Sequence, residues 1–228
     1  MQDFFEYLDK SVDINDEAKS FISSVIKIRK FKKGDILITQ GQSEVLNNYF
    51  VFSGCLRSYV IDKNGNDHTV QFAIKDWWIS DYMAYYGKGE AILSVDCLTD
   101  CIVLQTDISS IEKVFERFPQ IETFHRENLE KSFVRLNKRI VNQLQLNARD
   151  RYLNFIDDFP KMESVAKNFH IASYLGITKQ SLSRIRSQKL KERDISILYE
   201  EKHPFSGGKE HYAVFFEDPD RIKVELVG

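Results

Sequence analysis

The chain has 228 residues, 43% apolar and 29% charged, the composition of an ordinary globular protein with room for one large domain or two. No run of about 18 apolar residues occurs, which excludes a membrane-spanning helix, and a formal net charge of −2 excludes a protein that is basic throughout. The average hides an asymmetry: residues 126–193 carry 15 Lys/Arg against 7 Asp/Glu, so a basic segment is joined to an acidic remainder, as suits a nucleic-acid-binding part attached to a partner domain.

The N-terminal MQDFFEYLDK is acidic and lacks a signal-peptide pattern, so a cytoplasmic protein is expected. Phe4, Phe5, Leu8 and Val12 recur at helical spacing. Asn15-Asp16-Glu17 offers a cap for a second helix carrying Ala18, Phe21, Ile22, Val25 and Ile26. From Lys30 to about Thr106 the pattern changes to short strands separated by turn signals. Lys33-Gly34-Asp35 and Gly41 flank Ile36-Leu37-Ile38. Tyr49-Phe50-Val51-Phe52 ends at Ser53-Gly54. Strands at 55–61 and 68–74 are joined by a hairpin loop with an Asn64-Gly65 signal. Two more are expected at 91–98 and 101–105. Such regular short strands indicate a sandwich or barrel. Cys55, Cys97 and Cys101 have neither C-x-x-C nor metal-site spacing and sit in apolar surroundings, so they read as buried inert thiols.

Phe118-Pro119 ends one short helix and starts another, with Pro119 at its first position. Over 120–147 the residues Leu129, Phe133, Leu136, Ile140 and Leu144 draw one apolar stripe at spacings of 4, 3, 4 and 4. A helix follows at 148–158 with Tyr152, Leu153, Phe155 and Ile156. Residues 170–188 then read as two short helices around a tight turn. Gly176 stands where a left-handed residue must stop the first helix, and Thr178 can cap the second. Leu182 and Ile185 share its apolar face, leaving Lys179, Gln180, Ser181, Ser183, Arg184 and Arg186 for the others. Those are residue types that hydrogen-bond base edges and phosphates, on an element that fits a major groove.

The stretch Phe31-Lys32-Lys33-Gly34-Asp35-Ile36-Leu37, then Gly41, then Tyr49-Phe50-Val51-Phe52-Ser53-Gly54 resembles the cyclic-nucleotide-binding β-roll of Crp/Fnr-type transcription regulators. The segment from His170 resembles the same family's helix-turn-helix, so the resemblance covers about residues 10–190. It implies an α+β architecture: an N-terminal β-roll (double-stranded β-helix) over 1–118, a long dimerisation helix over 119–147, and a C-terminal winged helix-turn-helix over 148–193. It further implies a homodimer that pairs through Leu129, Phe133, Leu136 and Ile140. The dimer would bind double-stranded DNA, with RNA polymerase as a further partner, and would be either controlled by an unidentified small-molecule effector or constitutive. The positions matching the family's base-contacting residues are Lys179, Gln180 and Arg184; Ser181, Ser183 and Arg186 are expected nearer the phosphates, and Thr178 completes the DNA-binding set.

In cyclic-AMP-binding members of the family a Gly-Glu pair and an Arg about ten residues later hold the ribose and the phosphate. Here these fall on Ser80-Asp81 and Ala91, and no arginine occurs between Arg57 and Arg117. The region is instead aromatic. Two readings stay open: the aromatic cluster is ordinary core, or Trp78, Asp81, Tyr82, Tyr85 and Ala91 are an effector pocket for a ligand other than cyclic AMP. After Arg193 the text reads as strand, Glu217-Asp218-Pro219-Asp220 turn, strand. The tail over 194–228 resembles the end of a glyoxalase/vicinal-oxygen-chelate domain, in which the glutamate matching Glu225 is a metal ligand. A lone carboxylate does not hold a divalent metal, so no catalytic residue, metal or cofactor is expected. Two other functions remain open: a ligand-binding module acting through protein partners, and a metal-dependent enzyme built on the tail.

Overall fold

The computed structural model describes residues 2–9, 11–192, 197–198, 213–217 and 223–227. The chain divides into two compact units, Met1–Lys138 and Arg139–Gly228.

The first unit begins with α1 (Gln2–Asp9) and α2 (Asp16–Val25), followed by β1 (Lys27–Phe31), β2 (Ile36–Ile38), β3 (Asn47–Ser53), β4 (Leu56–Ile61), β5 (Asp67–Ala73) and β6 (Trp78–Ile79). Then come α3 (Tyr82–Gly87), β7 (Ser94–Cys97), β8 (Cys101–Asp107), α4 (Ile108–Arg117) and the start of α5 (Pro119–Gln145). The strands form two four-stranded antiparallel sheets, ordered β1-β8-β3-β6 and β2-β7-β4-β5. The two-residue alternation of a strand sends neighbours to opposite faces. Val51, Ile79 and Val103 pack with Ile38, Leu56 and Val95 of the other sheet. Phe50 and Leu104 turn the other way and pack with Phe4, Leu8, Ile22, Ile111 and Val114 of the helices. The helices start where side chains cap them: Asn15 Oδ1 accepts from the Ala18 N–H at 2.9 Å, and Asp107 Oδ1 accepts from the Ser110 N–H at 2.9 Å, as N-caps do.

Within the second sheet Arg57 lies on the central strand β4 and is 2% exposed. It grips Asp96 of β7 with two bonds, Nε–Oδ1 at 3.1 Å and Nη2–Oδ2 at 2.9 Å. It also donates to Asp67 of β5 through Nη1 at 2.7 Å. A buried guanidinium is tolerable only when satisfied in this way. Gly54 turns the chain between β3 and β4 with φ +95°, and a Cβ there would stand 2.5 Å from the Asp100 carbonyl oxygen and 2.6 Å from Cys101 Sγ. Both neighbours are held in place, so Gly54→Ala is expected to lower stability by about 2 kcal/mol or more, read as a drop in the thermal midpoint.

Three features of this unit differ from the sequence reading. The strand expected at 91–98 is only Ser94–Cys97, because the backbone of Ile92 and Leu93 is drawn to the Asp81 side chain instead. β6 and α3 were not legible, being two and six residues long, too short to establish a period.

The second unit takes the end of α5 from Arg139, then α6 (Ala148–Asp158), α7 (Met162–Val165), α8 (Asn168–Leu175) and α9 (Lys179–Lys191). β9 (Ile197–Leu198), β10 (Ala213–Glu217) and β11 (Lys223–Val227) form a sheet ordered β11-β10-β9. Tyr152, Phe155, Ile171, Leu175 and Leu182 are buried in this unit. The hairpin read from the tail is present as β10 and β11, with Phe215 opposite Glu225. Its Asp218-Pro219-Asp220 turn lies outside the described residues. Among the described residues no helix is long and apolar enough to cross a membrane.

Candidate nucleic-acid interface and effector region

The turn between α8 and α9 is built from the two residues that the sequence singles out for it. Gly176 has φ 66° and ψ 39°, and the Ile177 N–H donates to the Ala172 carbonyl at 3.0 Å, closing α8 in a Schellman-type cap. Thr178 Oγ1 accepts from the Ser181 N–H at 3.1 Å and starts α9. The carbonyls left open at the end of α8 meet arginines: Arg139 Nε and Nη2 donate to Tyr174 O at 3.1 and 2.8 Å, and Arg151 Nε donates to Leu175 O at 3.1 Å. Arg139 also lies 4.0 Å from the centre of the Tyr174 ring. Cations at a helix C-terminus complement its dipole, so Arg139 of α5 and Arg151 of α6 hold the turn that precedes α9.

Along α9 the expected outward set separates into two groups. Thr178 and Arg184 are exposed, while Lys179, Gln180 and Ser181 are half-buried. Arg184 makes no hydrogen bond or ion pair among the described residues, whereas the Thr178 hydroxyl donates to Ser181 Oγ at 3.0 Å. Ser183 and Arg186 do not point outward, which corrects the expectation for both. Ser183 is 6% exposed. Arg186, 5% exposed, donates through Nε to Glu163 Oε1 at 2.8 Å and through Nη1 to Asn168 Oδ1 at 2.6 Å. The same Glu163 oxygen accepts from the Tyr152 hydroxyl at 2.6 Å. Arg186 therefore ties α9 to α6, α7 and α8. The sequence reading also stopped too early. Gln188 and Lys191 are exposed, four and seven residues beyond Arg184, and extend its stripe by two turns.

Of the four residues assigned to a dimer interface, Phe133 is 67% exposed, Leu136 and Ile140 46% each, and Leu129 half-buried. Leu144 reaches 82%. These large apolar side chains are left in water along one helix. One residue the sequence reading did not single out, Arg135, is stacked 4.0 Å from the centre of the Trp77 ring. This fixes α5 to the segment just before β6.

The candidate effector residues are divided between the two cores of this unit. Asp81 is fully buried. Its Oδ1 accepts from the Met83 and Ala84 N–H groups at 3.2 and 3.3 Å, and its Oδ2 accepts from Ile92 and Leu93 at 2.6 and 2.8 Å. Tyr85 and Ala91 are buried in the core between the sheets. Tyr82 donates its hydroxyl to Asn48 Oδ1 at 3.2 Å, and burial pushes its phenol well above the usual range. Trp78 packs in the other core, with Phe50 and the N-terminal helices. There it lines an apolar cavity of about 20 Å³, with Phe4, Leu8, Phe124 and His125 among its walls, room for little more than one water-sized guest.

Burial pulls His125 down from 6.5 to about 4, so the folded protein holds it neutral. The unfolded chain binds the proton more readily, and stability present above pH 6.5 is lost as the pH falls towards 4. The loss approaches about 3 kcal/mol at the lower end. The thermal midpoint is expected to drop across this window in the wild type and to drop less in His125→Phe, whose ring suits a site beside Trp78 and Phe115.

Cys55, Cys97 and Cys101 are free and buried, and burial pushes the Cys55 thiol up to about 12. Glu225 is exposed on β11. Among the described residues no group of three or more His, Cys, Asp or Glu side chains is placed to hold a metal ion.

Residues 28–118 match the family model of the cyclic nucleotide-binding domain. Among curated proteins, the uncharacterized protein YqjT of Bacillus subtilis is 49% identical over 59 residues, 26% of this chain and 41% of its own length, so the match spans less than half of that relative. Among solved structures, the c-di-GMP responsive global regulator CLP of Xanthomonas campestris aligns with a TM-score of 0.64 at 11% identity, over 80% of this chain and 95% of that one. A protein described as a transcriptional regulator of the crp/fnr family, from Eubacterium rectale, aligns at 0.61 and 17% identity over 81% and 87% of the two chains. The chain thus carries a cyclic-nucleotide-binding-like β-sheet domain followed by a long helix, on a fold that it shares with regulators of the crp/fnr type.

Proposed function

We propose that this protein is a homodimeric, sequence-specific DNA-binding transcription regulator that works in the cytoplasm. The observation that carries the reading is α9, whose exposed stripe of Arg184, Gln188 and Lys191 stands over an underside locked by Leu182, Ile185 and Arg186. A rigid helix with cationic and amide groups outward is what major-groove recognition needs. Thr178, Lys179, Gln180 and Ser181, at its N-terminal end, are the further contacts, and the strands after it serve as the wing. The apolar stripe of α5 takes a second copy of the chain. The dimer then sets two copies of α9 into successive major grooves about 34 Å apart. RNA polymerase is the further macromolecular partner.

The β-sheet domain does not take cyclic AMP in this reading. It has no arginine between Arg57 and Arg117 to hold a phosphate, and its candidate ribose ligand, Asp81, spends both oxygens on backbone N–H groups. Millimolar cyclic AMP is expected to give no saturable heat in calorimetry. The tail is read as a structural piece and not as an enzyme, since Glu225 has no set of companions to form a metal site among the described residues.

The test is selection of bound duplexes from a random pool, followed by affinity measurements on the winner. A regulator should enrich a near-palindromic site and lose affinity steeply with added salt. Arg184→Ala should cost about 1–3 kcal/mol of discrimination at one base position. Failure to enrich any duplex, or affinity insensitive to salt, would replace this reading with a ligand-binding module that works through protein partners.

A further inference from the structure

The three cysteines of the chain gather where it crosses between the two sheets of the first unit. One crossing is Gly54-Cys55, between β3 and β4. The other is Leu98-Thr99-Asp100, between β7 and β8, with Cys97 and Cys101 on either side of it. The two crossings are bound to each other. The Leu98 N–H donates to the Cys55 carbonyl at 2.9 Å, and the Cys55 N–H donates to Thr99 Oγ1 at 3.0 Å. Cys101 Sγ lies 3.4 Å from the same Cys55 carbonyl oxygen and 3.8 Å from Thr99 Oγ1. Gly54, having no Cβ, makes room for that sulfur.

Cys97 and Cys101 meet across the second crossing. The Cys97 S–H donates to the Cys101 sulfur. This bond holds the Cys101 thiol below its usual range and pushes Cys97 above it. The pair thus divides the roles that disulfide formation needs: one sulfur that ionises readily, and a neighbour that keeps its proton until the first has reacted. Cys55 has no such help, and burial alone leaves it inert.

We propose that Cys97 and Cys101 form a site of reversible oxidation, at which hydrogen peroxide closes a disulfide across the turn from β7 to β8. The Cys101 thiolate attacks one peroxide oxygen. The O–O bond breaks, the other oxygen leaves as hydroxide, and Cys101 becomes a sulfenic acid. The Cys97 sulfur then attacks the Cys101 sulfur. The S–O bond breaks, and the Cys97 proton leaves with the hydroxyl as water. Two electrons pass from the thiols to the peroxide, and a dithiol returns them by exchange. Cys101 is 2% exposed, but the next residue, Asp100, stands in water, so the path for so small an oxidant is short. The sulfurs must close from hydrogen-bond contact to about 2 Å, and the turn between them absorbs that movement. The new bond ties the two sheets at one corner. In a reducing compartment such a bond is transient, so it reports an oxidant without adding a permanent staple.

The experiment uses the full chain and reads covalent chemistry, so its failure is separate from a failure to bind DNA. The folded protein is treated with hydrogen peroxide, denatured in N-ethylmaleimide and digested with trypsin. Cleavage after Lys88 and Lys113 leaves both sulfurs on one peptide, 89–113, whereas Cys55 lies on another, 34–57. After peroxide, peptide 89–113 should be two hydrogens lighter and carry no maleimide. Peptide 34–57 should still carry its maleimide, and dithiothreitol should restore both maleimides to the first peptide. Cys97→Ser should lose the disulfide and leave a sulfenic acid on Cys101 that dimedone traps. The wild-type measurement does not depend on that variant folding. Two maleimides on peptide 89–113 after peroxide, a disulfide to peptide 34–57 instead, or oxidation seen only in denaturant would each overturn the proposal.

Discussion

Arg186→Ala is expected to destabilise the second unit by about 4 kcal/mol, while Arg184→Ala, two residues away on the same helix, leaves stability within about 0.5 kcal/mol. Arg186 is the only charge that satisfies Glu163 Oε1 from α9 among the described residues, and it holds Asn168 as well. Removing it leaves Glu163, an exposed residue, with only the Tyr152 hydroxyl, and opens an unfilled space under the helix where the buried Arg186 side chain stood. Breaking a buried pair from one side is more damaging than never having built it. Glu163 is partly exposed, so water recovers some of the loss and the figure is an upper one. Denaturant unfolding monitored by far-ultraviolet dichroism measures both variants. On DNA the order reverses: Arg184→Ala alters base preference in a folded protein, whereas Arg186→Ala loses binding to every sequence together with the fold. Equal stability of the two variants would show that the Glu163–Arg186–Asn168 cluster does not hold α9.

The second large effect concerns α5. Leu136→Glu with Ile140→Glu should convert a dimer to a monomer, as read by analytical ultracentrifugation. Covering a side chain of this size contributes about 1.5 kcal/mol. Two such side chains in each of two copies give about 6 kcal/mol, or about four orders of magnitude in the dimer constant. Both residues are exposed in the single chain, so the variant should still fold, with a thermal midpoint lowered by the lost dimerisation alone. Binding to a two-half-site duplex should fall sharply, because each α9 then binds alone. A double variant that stays dimeric would move the interface elsewhere.

What the sequence made legible was local. Asn15, Gly176 and Thr178 act through neighbours three to five residues away, and so does the Asn64-Gly65 hairpin. The apolar stripe of α5 is a single periodic pattern. What stayed hidden depends on partners distant in the chain. Asp81 looked like a ligand-binding acid because its true partners, Ile92 and Leu93, come eleven and twelve residues later. Arg186 looked like a phosphate contact because its partner Glu163 lies 23 residues back. Yet a signal was present. Arg186 follows Leu182 by four, so periodicity alone put it on the inward face; the charge of the side chain outweighed its position. Ser183, one residue before the exposed Arg184, was placed outward on the strength of its hydroxyl, and it is buried.

The Arg57 clamp has a consequence for how the chain finds this structure. Its guanidinium reaches an acid on the strand to either side, so all three strands must be in their native alignment before it makes its full set of ion pairs. A slip of one residue would turn β4 over and present that charge to the opposite face of the sheet. Mispaired intermediates of this sheet therefore carry a built-in penalty, and the arginine acts as a proofreader of strand alignment during folding.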